Sequence, residues 1–419
     1  MSKSRNRRRP PSAGATSPDK DKSRRSLPRG AAERLILEHS DQILPGDALL
    51  VLLKGTALAK HLTQRCRNVC WKIFTFEHLF LTSLVDSLSE VEAGGHQDAD
   101  IELFCMPDLP DGAFDTVVLP TDSRASSELT RDVLQTIAAQ LKPNGRLVVS
   151  TNNARDHWLH KHLLATFGRI TVFKDKQGIC YVARKRETAA KVKDFRCEFA
   201  FRANMDGPDD TPESLETKAP PANASDSKSA SDTGSARLIR CFSRPGVFSH
   251  RKIDAGARAL IRSLSLLDAP TSKKSKKPRS PERILEMGCG CGAVATATAL
   301  EYPNAEVLAV DSHARAIQST EATAALNNAN NVSVLLTANG NVPGAGSWDL
   351  FLCNPPYYSD FRISELFLQS AVEALTFGGR IHLVTKLTDW HQNRMIEIFA
   401  NATVHRFGDY DVIVSTLRR

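Results

Sequence analysis

Two stretches of this 419-residue chain carry the same strand, helix and strand outline at one fixed separation, and that repetition narrows the folds open to it more than any other feature. Phe114-Asp115-Thr116-Val117-Val118-Leu119-Pro120 leads through a helical stretch to Leu141-Lys142-Pro143-Asn144-Gly145-Arg146-Leu147-Val148-Val149. Trp348-Asp349-Leu350-Phe351-Leu352-Cys353-Asn354 leads in the same way to Leu375-Thr376-Phe377-Gly378-Gly379-Arg380-Ile381-His382-Leu383. Asp115 to Gly145 and Asp349 to Gly379 are each thirty residues apart, so a single offset of 234 aligns both strand pairs. Unrelated strand-helix-strand units can look alike by chance, but the shared Gly-Arg before the last strand favours a duplicated α/β unit.

Each half alternates short apolar runs with amphipathic segments. In the second half the runs 283–287, 306–310, 332–336, 350–353 and 380–385 predict strands, separated by helices at about 293–302, 314–328 and 365–375. That alternation predicts two tandem doubly wound α/β domains with mostly parallel sheets, which bind ligands at the carboxyl ends of their strands. The expected organisation is a basic tail at 1–29, a first domain at 30–204, a linker at 205–236 rich in Asp, Pro, Ala and Ser, and a second domain at 237–419.

The ten Lys and Arg of residues 1–29, set against two Asp, account for the whole net charge of +8. So few large apolar residues cannot offset the entropy of ordering, and the tail is expected to be disordered. A flexible basic arm holds polyanions by phosphate contact, although a purely solubilising tail has the same composition. Asp19, Asp21 and three early prolines speak against an organelle transit helix. A second basic run at 271–281 reads as a surface loop.

No run approaches the roughly 20 apolar residues of a membrane span, and no secretory signal follows the initial charges. Nine cysteines, an odd number without a second Cys/His pair at finger spacing, point to reduced thiols in a cytoplasmic protein that holds no metal. A monomer is expected.

Two loops carry chemistry. Glu286-Met287-Gly288-Cys289-Gly290-Cys291-Gly292 closes a strand and opens a helix, and its alternate glycines let the backbone approach a bulky ligand. Dinucleotide sites and plain tight turns use such loops too. Here the strand ends in Glu286, which suits a positive ligand group and would repel a pyrophosphate, and the next strand ends at Asp311-Ser312, where a carboxylate can accept both ribose hydroxyls. That pairing favours a sulfonium nucleoside, S-adenosylmethionine.

The second loop, Asn354-Pro355-Pro356-Tyr357, follows a strand about 65 residues further on. Its prolines fix φ and remove backbone donors, so an amide oxygen and a carbonyl can both accept from one planar amine while Tyr357 offers a stacking face. Accepting both protons favours the tetrahedral nitrogen of a methyl-transfer transition state. A stiff turn without chemistry is the plainer reading of the same four residues.

The glycine loop, Asp311 and Asn354-Pro355-Pro356-Tyr357 together resemble the amino-methyltransferases of the class I, Rossmann-like fold. Arg244-Pro245-Gly246-Val247-Phe248-Ser249 and the following Asp254-Ala255-Gly256 are similar to the segment that precedes the core of bacterial ribosomal RNA guanine-N2 methyltransferases. Those enzymes also have two tandem domains, the first degenerate. The resemblance implies that Phe248 and Ser249 line the donor pocket, that Glu286, Gly288, Gly290 and Gly292 hold its amino acid end, and that Asp311 and Ser312 hold the ribose. It places the target base at Asn354, Pro355, Pro356 and Tyr357, and Asn339 where relatives carry an acidic residue near the adenine.

The implied activity is methylation of guanine N2 in ribosomal RNA, alone or in a ribosomal subunit. Adenine N6, cytosine N4 and a glutamine amide stay open as acceptors, as does a noncatalytic RNA-binding or assembly role. The first half has Lys54-Gly55-Thr56 at the glycine-loop place and Leu119-Pro120-Thr121-Asp122 at the Asn-Pro-Pro-Tyr place, so it is expected neither to bind donor nor to catalyse, and to hold RNA instead.

Overall fold

The computed structural model describes residues 28, 30–93, 100–185, 192–203, 237–267, 280–356 and 359–418. The basic tail apart from Pro28, the linker at 205–236, most of the basic run at 271–281 and Tyr357 lie outside the described residues.

The first half runs α1 (Ala31–Glu38), β1 (Gly46–Leu52), α2 (Ala57–Arg65), β2 (Val69–Thr75), α3 (His78–Ala93), β3 (Ile101–Cys105), β4 (Phe114–Thr121), α4 (Ser127–Gln140), β5 (Leu141–Thr151), α5 (Trp158–Phe167), β6 (Ile170–Lys174) and β7 (Ile179–Arg184). Two strands, β8 (Cys197–Ala203) and β9 (Arg237–Ser243), form an antiparallel pair between the halves. The second half repeats the first: α6 (Ala255–Arg262), β10 (Arg283–Met287), α7 (Ala293–Glu301), β11 (Glu306–Asp311), α8 (Ala314–Leu326), β12 (Val332–Leu336), β13 (Trp348–Cys353), α9 (Arg362–Ala374), β14 (Leu375–Thr385), α10 (Thr388–Phe399), β15 (Thr403–Phe407) and β16 (Tyr410–Thr416).

The sheets have the orders β3-β2-β1-β4-β5-β7-β6 and β12-β11-β10-β13-β14-β16-β15. All neighbours are parallel except those made by β7 and β16, so the sheets are mostly parallel as expected. Central strands are sheathed by helices on both faces and are buried almost without interruption, as in Ile284 to Met287 and Leu350 to Cys353. The strand order reverses between β10 and β13, which opens a crevice at their carboxyl ends.

The repeated Asp, Gly and Arg each have a backbone reason. Asp115 accepts from the Asp47 N–H at 2.9 Å, and Asp349 accepts from the Arg283 N–H at 3.0 Å, tying the start of β4 to β1 and of β13 to β10. A Cβ on Gly145 would fall 2.9 Å from the carbonyl oxygens of Lys142 and Phe114, and one on Gly379 would fall 2.9 Å from those of Thr376 and Trp348. Both glycines sit where the strand pairing slips register, between Phe114 and Thr116 and between Trp348 and Leu350. Arg146 donates to the Gln42 carbonyl and Arg380 to that of Leu266, pinning the segment before each sheet. The repeat is therefore a scaffold signature.

The halves meet through equivalent turns. Ala48 pairs with Trp71 and Thr116 as Ile284 pairs with Val307 and Leu350, and because 234 relates Thr116 to Leu350, an offset of 236 relates β1 and β2 to β10 and β11. At the ends of β2 and β11 the His78 N–H donates to the Ser312 carbonyl and the Ala314 N–H donates to the Phe76 carbonyl, each at 2.8 Å. Those two bonds exchange under the same offset, which gives the contact a local two-fold character. Arg315 is buried at its centre, 2.7 Å from Asp132, donating to the carbonyls of Pro107 and Pro245, and lying over the Phe76 ring. Burial pushes its guanidinium down to about 10, opposed by Asp132. Among the described residues no helix is long and apolar enough to cross a membrane.

Candidate functional site

The crevice beside β10 gathers the expected loops at one end of one sheet. Gly288, Gly290 and Gly292 all have positive φ (+83°, +57° and +77°), a conformation that side-chain-bearing residues rarely adopt. At Gly292 there is also no room, since a Cβ would lie 2.7 Å from the Thr320 Cα. The N–H groups of Gly288 and Cys289 both donate to the Val310 carbonyl, at 2.8 and 3.0 Å, and this folds the loop against β11. The Asp311 carboxylate then accepts from the Gly290 N–H at 3.0 Å with one oxygen and from the His313 N–H at 2.9 Å with the other. Burial raises its pKa against those two bonds.

Glu286 is 4% exposed, and one of its carboxylate oxygens has no partner. Burial pushes its carboxyl well above the usual carboxylate range, opposed by the Ala295 N–H. An unpaired buried carboxylate is costly unless a cation meets it, so this residue fits a ligand with a positive group. Beside the same loop, the Phe248 carbonyl would lie 3.9 Å from a Cβ on Gly290, and the Phe248 ring is 67% exposed at the mouth. Ser249 has φ +56° and donates its hydroxyl to the Lys252 carbonyl, so it shapes the segment that lies along the glycine loop.

Two expected donor contacts have other partners. The Ser312 hydroxyl donates to Glu77 of the first half at 2.9 Å, so its side chain serves the contact between halves. The Asn339 oxygen accepts from the Thr337 hydroxyl and the Asn341 N–H, which leaves its amide nitrogen to face a ligand.

At the second loop, the Asn354 amide nitrogen donates to Asp254 at 3.0 Å. The same Asp254 oxygen accepts from the N–H groups of Gly256 and Ala257, capping α6. Asp254 thereby fixes which way the Asn354 amide points, and sends its oxygen away from the helix. Gly256 makes the approach possible, because a Cβ there would be 3.1 Å from the Asn354 nitrogen and 3.2 Å from the Tyr410 ring. In sequence Asp254 reads only as the residue that opens a helix, and its pairing with a residue a hundred positions away carries no local signal. Pro355 is buried and Pro356 half-buried beside it. Among the described residues no group of His, Cys, Asp and Glu is arranged to hold a metal.

A doubly wound sheet covered by helices on both faces, with a glycine turn, an orphaned buried acid and an Asn-Pro-Pro turn at one end, has the class I methyltransferase fold. Residues 238–413 match the family model of the methyltransferase small domain. Along 91% of its length the chain is 25% identical to ribosomal RNA small subunit methyltransferase C of Shewanella halifaxensis, covering 95% of that protein. Over 147 residues it is 32% identical to the Pseudoalteromonas translucida protein of the same name, which is 34% of this chain and 39% of that one. Its fold is similar, with a TM-score of 0.67 at 18% identity over 93% of this chain and 92% of the other, to a T. thermophilus 16S rRNA N2 methyltransferase solved with AdoMet and guanosine. The chain resembles the bacterial ribosomal RNA guanine-N2 methyltransferases, with both tandem domains present.

Proposed function

We propose that this chain transfers a methyl group from S-adenosylmethionine to the exocyclic N2 amine of guanine in small-subunit ribosomal RNA. One observation carries the reading: an unpartnered buried carboxylate and an amide oriented by Asp254 stand at the same end of the same sheet. The names and bound ligands of the relatives, AdoMet and guanosine among them, support the same donor and acceptor.

Bound S-adenosylmethionine supplies an electrophilic methyl group on a sulfonium sulfur. Glu286 and the loop of Gly288, Gly290 and Gly292 hold its cationic amino acid end, and Asp311 accepts from its ribose. Ser312 keeps the Asp311 turn in place through Glu77, the Asn339 amide nitrogen serves the adenine, and Phe248 and Ser249 bound the pocket.

On the acceptor side, the Asn354 oxygen and the Pro355 carbonyl accept the two protons of the guanine amine. This draws electron density onto a nitrogen whose lone pair is otherwise delocalised into the ring. Pro356 stiffens the turn, and Tyr357, outside the described residues, stacks on the base. The amine needs no prior deprotonation; it loses a proton to solvent once the methyl group has arrived. A base in duplex must first be flipped, at a cost of a few kcal/mol. The first domain at 30–204 and the basic tail at 1–29 hold RNA around the catalytic domain at 237–419.

Labelled donor incubated with separate RNA, DNA and protein pools from cells lacking the gene tests the reading. Label is expected as N2-methylguanosine in small-subunit RNA; label in protein or DNA alone overturns it.

A further inference from the structure

Next to the Asn354 turn the structure holds a second aromatic feature that the methyl-transfer reading does not use. Phe361 stacks on Trp390 with ring centroids 4.0 Å apart and planes 13° from parallel, and both rings are only half-buried. Trp390 stands in the first turn of α10, directly after β14, at the same carboxyl edge as Gly288 and Asn354.

The backbone is strained to present this pair. Asp360 and Phe361 have φ of +46° and +61°, two consecutive left-handed residues without a glycine. Such a conformation is unfavourable for residues with a side chain and persists where the surroundings over-determine it. The surroundings here are rigid. Buried His391 bridges the hydroxyls of Thr385 and Ser364, at 3.1 and 3.0 Å, joining the end of β14 to both helices under the stack. Arg394 donates to both oxygens of Glu365, at 2.8 and 2.6 Å, and locks α10 against α9 a turn further on.

A cation completes the feature. The Lys386 ammonium lies 4.4 Å from the Tyr410 ring centroid, and the Tyr410 ring borders the Gly256 position that touches the Asn354 amide. A positive group at the same end of the sheet as the target turn, with a preformed aromatic face four residues along the chain, is the arrangement that binds a single strand through its backbone charge and its bases.

We propose that Phe361 and Trp390 form a stacking platform for an unpaired base flanking the target guanine, with Lys386 beside the intervening phosphate. The inference rests on the RNA reading above and adds a subsite to it. It makes recognition depend on a splayed-out strand on at least one side of the target, so a single-stranded or melted segment is preferred over a continuous duplex.

The test uses the full chain and a seven-nucleotide single-stranded RNA with one central guanosine, its binding followed by fluorescence anisotropy, with donor affinity measured by calorimetry. Trp390→Ala is expected to weaken oligonucleotide binding about tenfold or more, as loss of one base stack does, while donor affinity stays within twofold. Trp390→Phe should restore most of the loss. Phe361→Gly removes the ring and the left-handed strain together, so it should weaken the oligonucleotide while leaving thermal stability unchanged or raised. Unchanged oligonucleotide affinity in both Trp390→Ala and Phe361→Gly would overturn the platform. A wild-type chain that methylates protein but no RNA would overturn the reading beneath it, a result that the platform variants do not mimic.

Discussion

In the second half the loop after β10 is Gly288-Cys289-Gly290-Cys291-Gly292; in the first half the matching stretch is Leu52-Leu53-Lys54-Gly55-Thr56. Under the offset of 236, Glu286 corresponds to Leu50, which is fully buried, and Asp311 to Thr75. Under the offset of 234, Asn354 corresponds to Pro120, since Leu119 pairs with Val149 as Cys353 pairs with Leu383; the first-half match to Asn-Pro-Pro-Tyr therefore starts one residue later than Leu119. The Thr75 hydroxyl accepts from the Glu77 N–H at 3.1 Å, as Asp311 accepts from the His313 N–H, so both residues cap the same turn. Asp311 has one oxygen more, and that oxygen reaches Gly290. Lys54 stands in the place of Gly290 and pairs with Asp122 at 2.7 Å, joining the two loops between which a ligand would lie. The Asp, Gly and Arg that shape the sheet persist in both halves because backbone geometry requires them. Ligand groups carry no such requirement, and burying them unpaired is costly, so their replacement in the first half fits the proposal that this half holds RNA and does no chemistry.

The comparison breaks most sharply at Asn354. Asn354→Ala should lower methyl transfer by about a hundredfold to a thousandfold, the scale of losing one transition-state acceptor, with donor affinity within several-fold; single-turnover rates and calorimetry check both. Activity close to wild type would show that the Asn-Pro-Pro turn is as structural as Pro120.

The next largest effect falls on the contact that both halves share. Arg315→Ala removes a buried cation and strands Asp132, so unfolding free energy should fall by about 3 kcal/mol, read by denaturant titration. A fall below about 1 kcal/mol would mean that the halves are held elsewhere.

Glu286 sharpens the contrast with Leu50 through pH. Its carboxyl is pushed up in the free protein, so donor affinity should rise with pH until that raised pKa is passed and then level off. Because the folded-state value is raised, the free protein loses stability as pH climbs from the ordinary carboxylate range through the raised one. Glu286→Gln should therefore weaken donor binding at least about tenfold, flatten its pH dependence, and stabilise the free protein at neutral pH. A pH-dependent affinity that survives in Glu286→Gln would move the effect to another group.

Lys54→Gly tests the other side and should do least. The pair it breaks has a 68% exposed lysine, so the midpoint of thermal unfolding should move by no more than about 3 °C. No donor binding should appear by calorimetry, since Leu50 and Thr75 remain.

Much of this was readable from residues near one another in sequence. The 234-residue repeat, the strands at 332–336 and 283–287, and the two loops all follow from local patterns, because parallel strands buried on both faces read as apolar runs. What went unread depends on distance. Asp254 meets Asn354, and Glu77 meets Ser312, only after folding. The final hairpin of β15 and β16 turns on Gly408-Asp409, with Gly408 at φ +59°, a short signature that went unread beside the longer apolar runs, and α10 begins after Leu387, whose own side chain cannot cap a helix.

Strands β8 and β9 flank the stretch 204–236, and their pairing sets Ala203 beside Arg237. Phe201 of β8 nevertheless belongs to the core built by α6, α7 and the second sheet, with Phe199 packed against it. The covalent order of the chain and the ownership of its core thus disagree by one strand. A protein begun at Arg237 would leave the edge of β9 unpaired and an apolar face uncovered, whereas one begun at Lys193 would carry its own seal. Shortening the stretch between the two strands, by contrast, should be tolerated, since closing a loop whose ends already touch depends only weakly on its length.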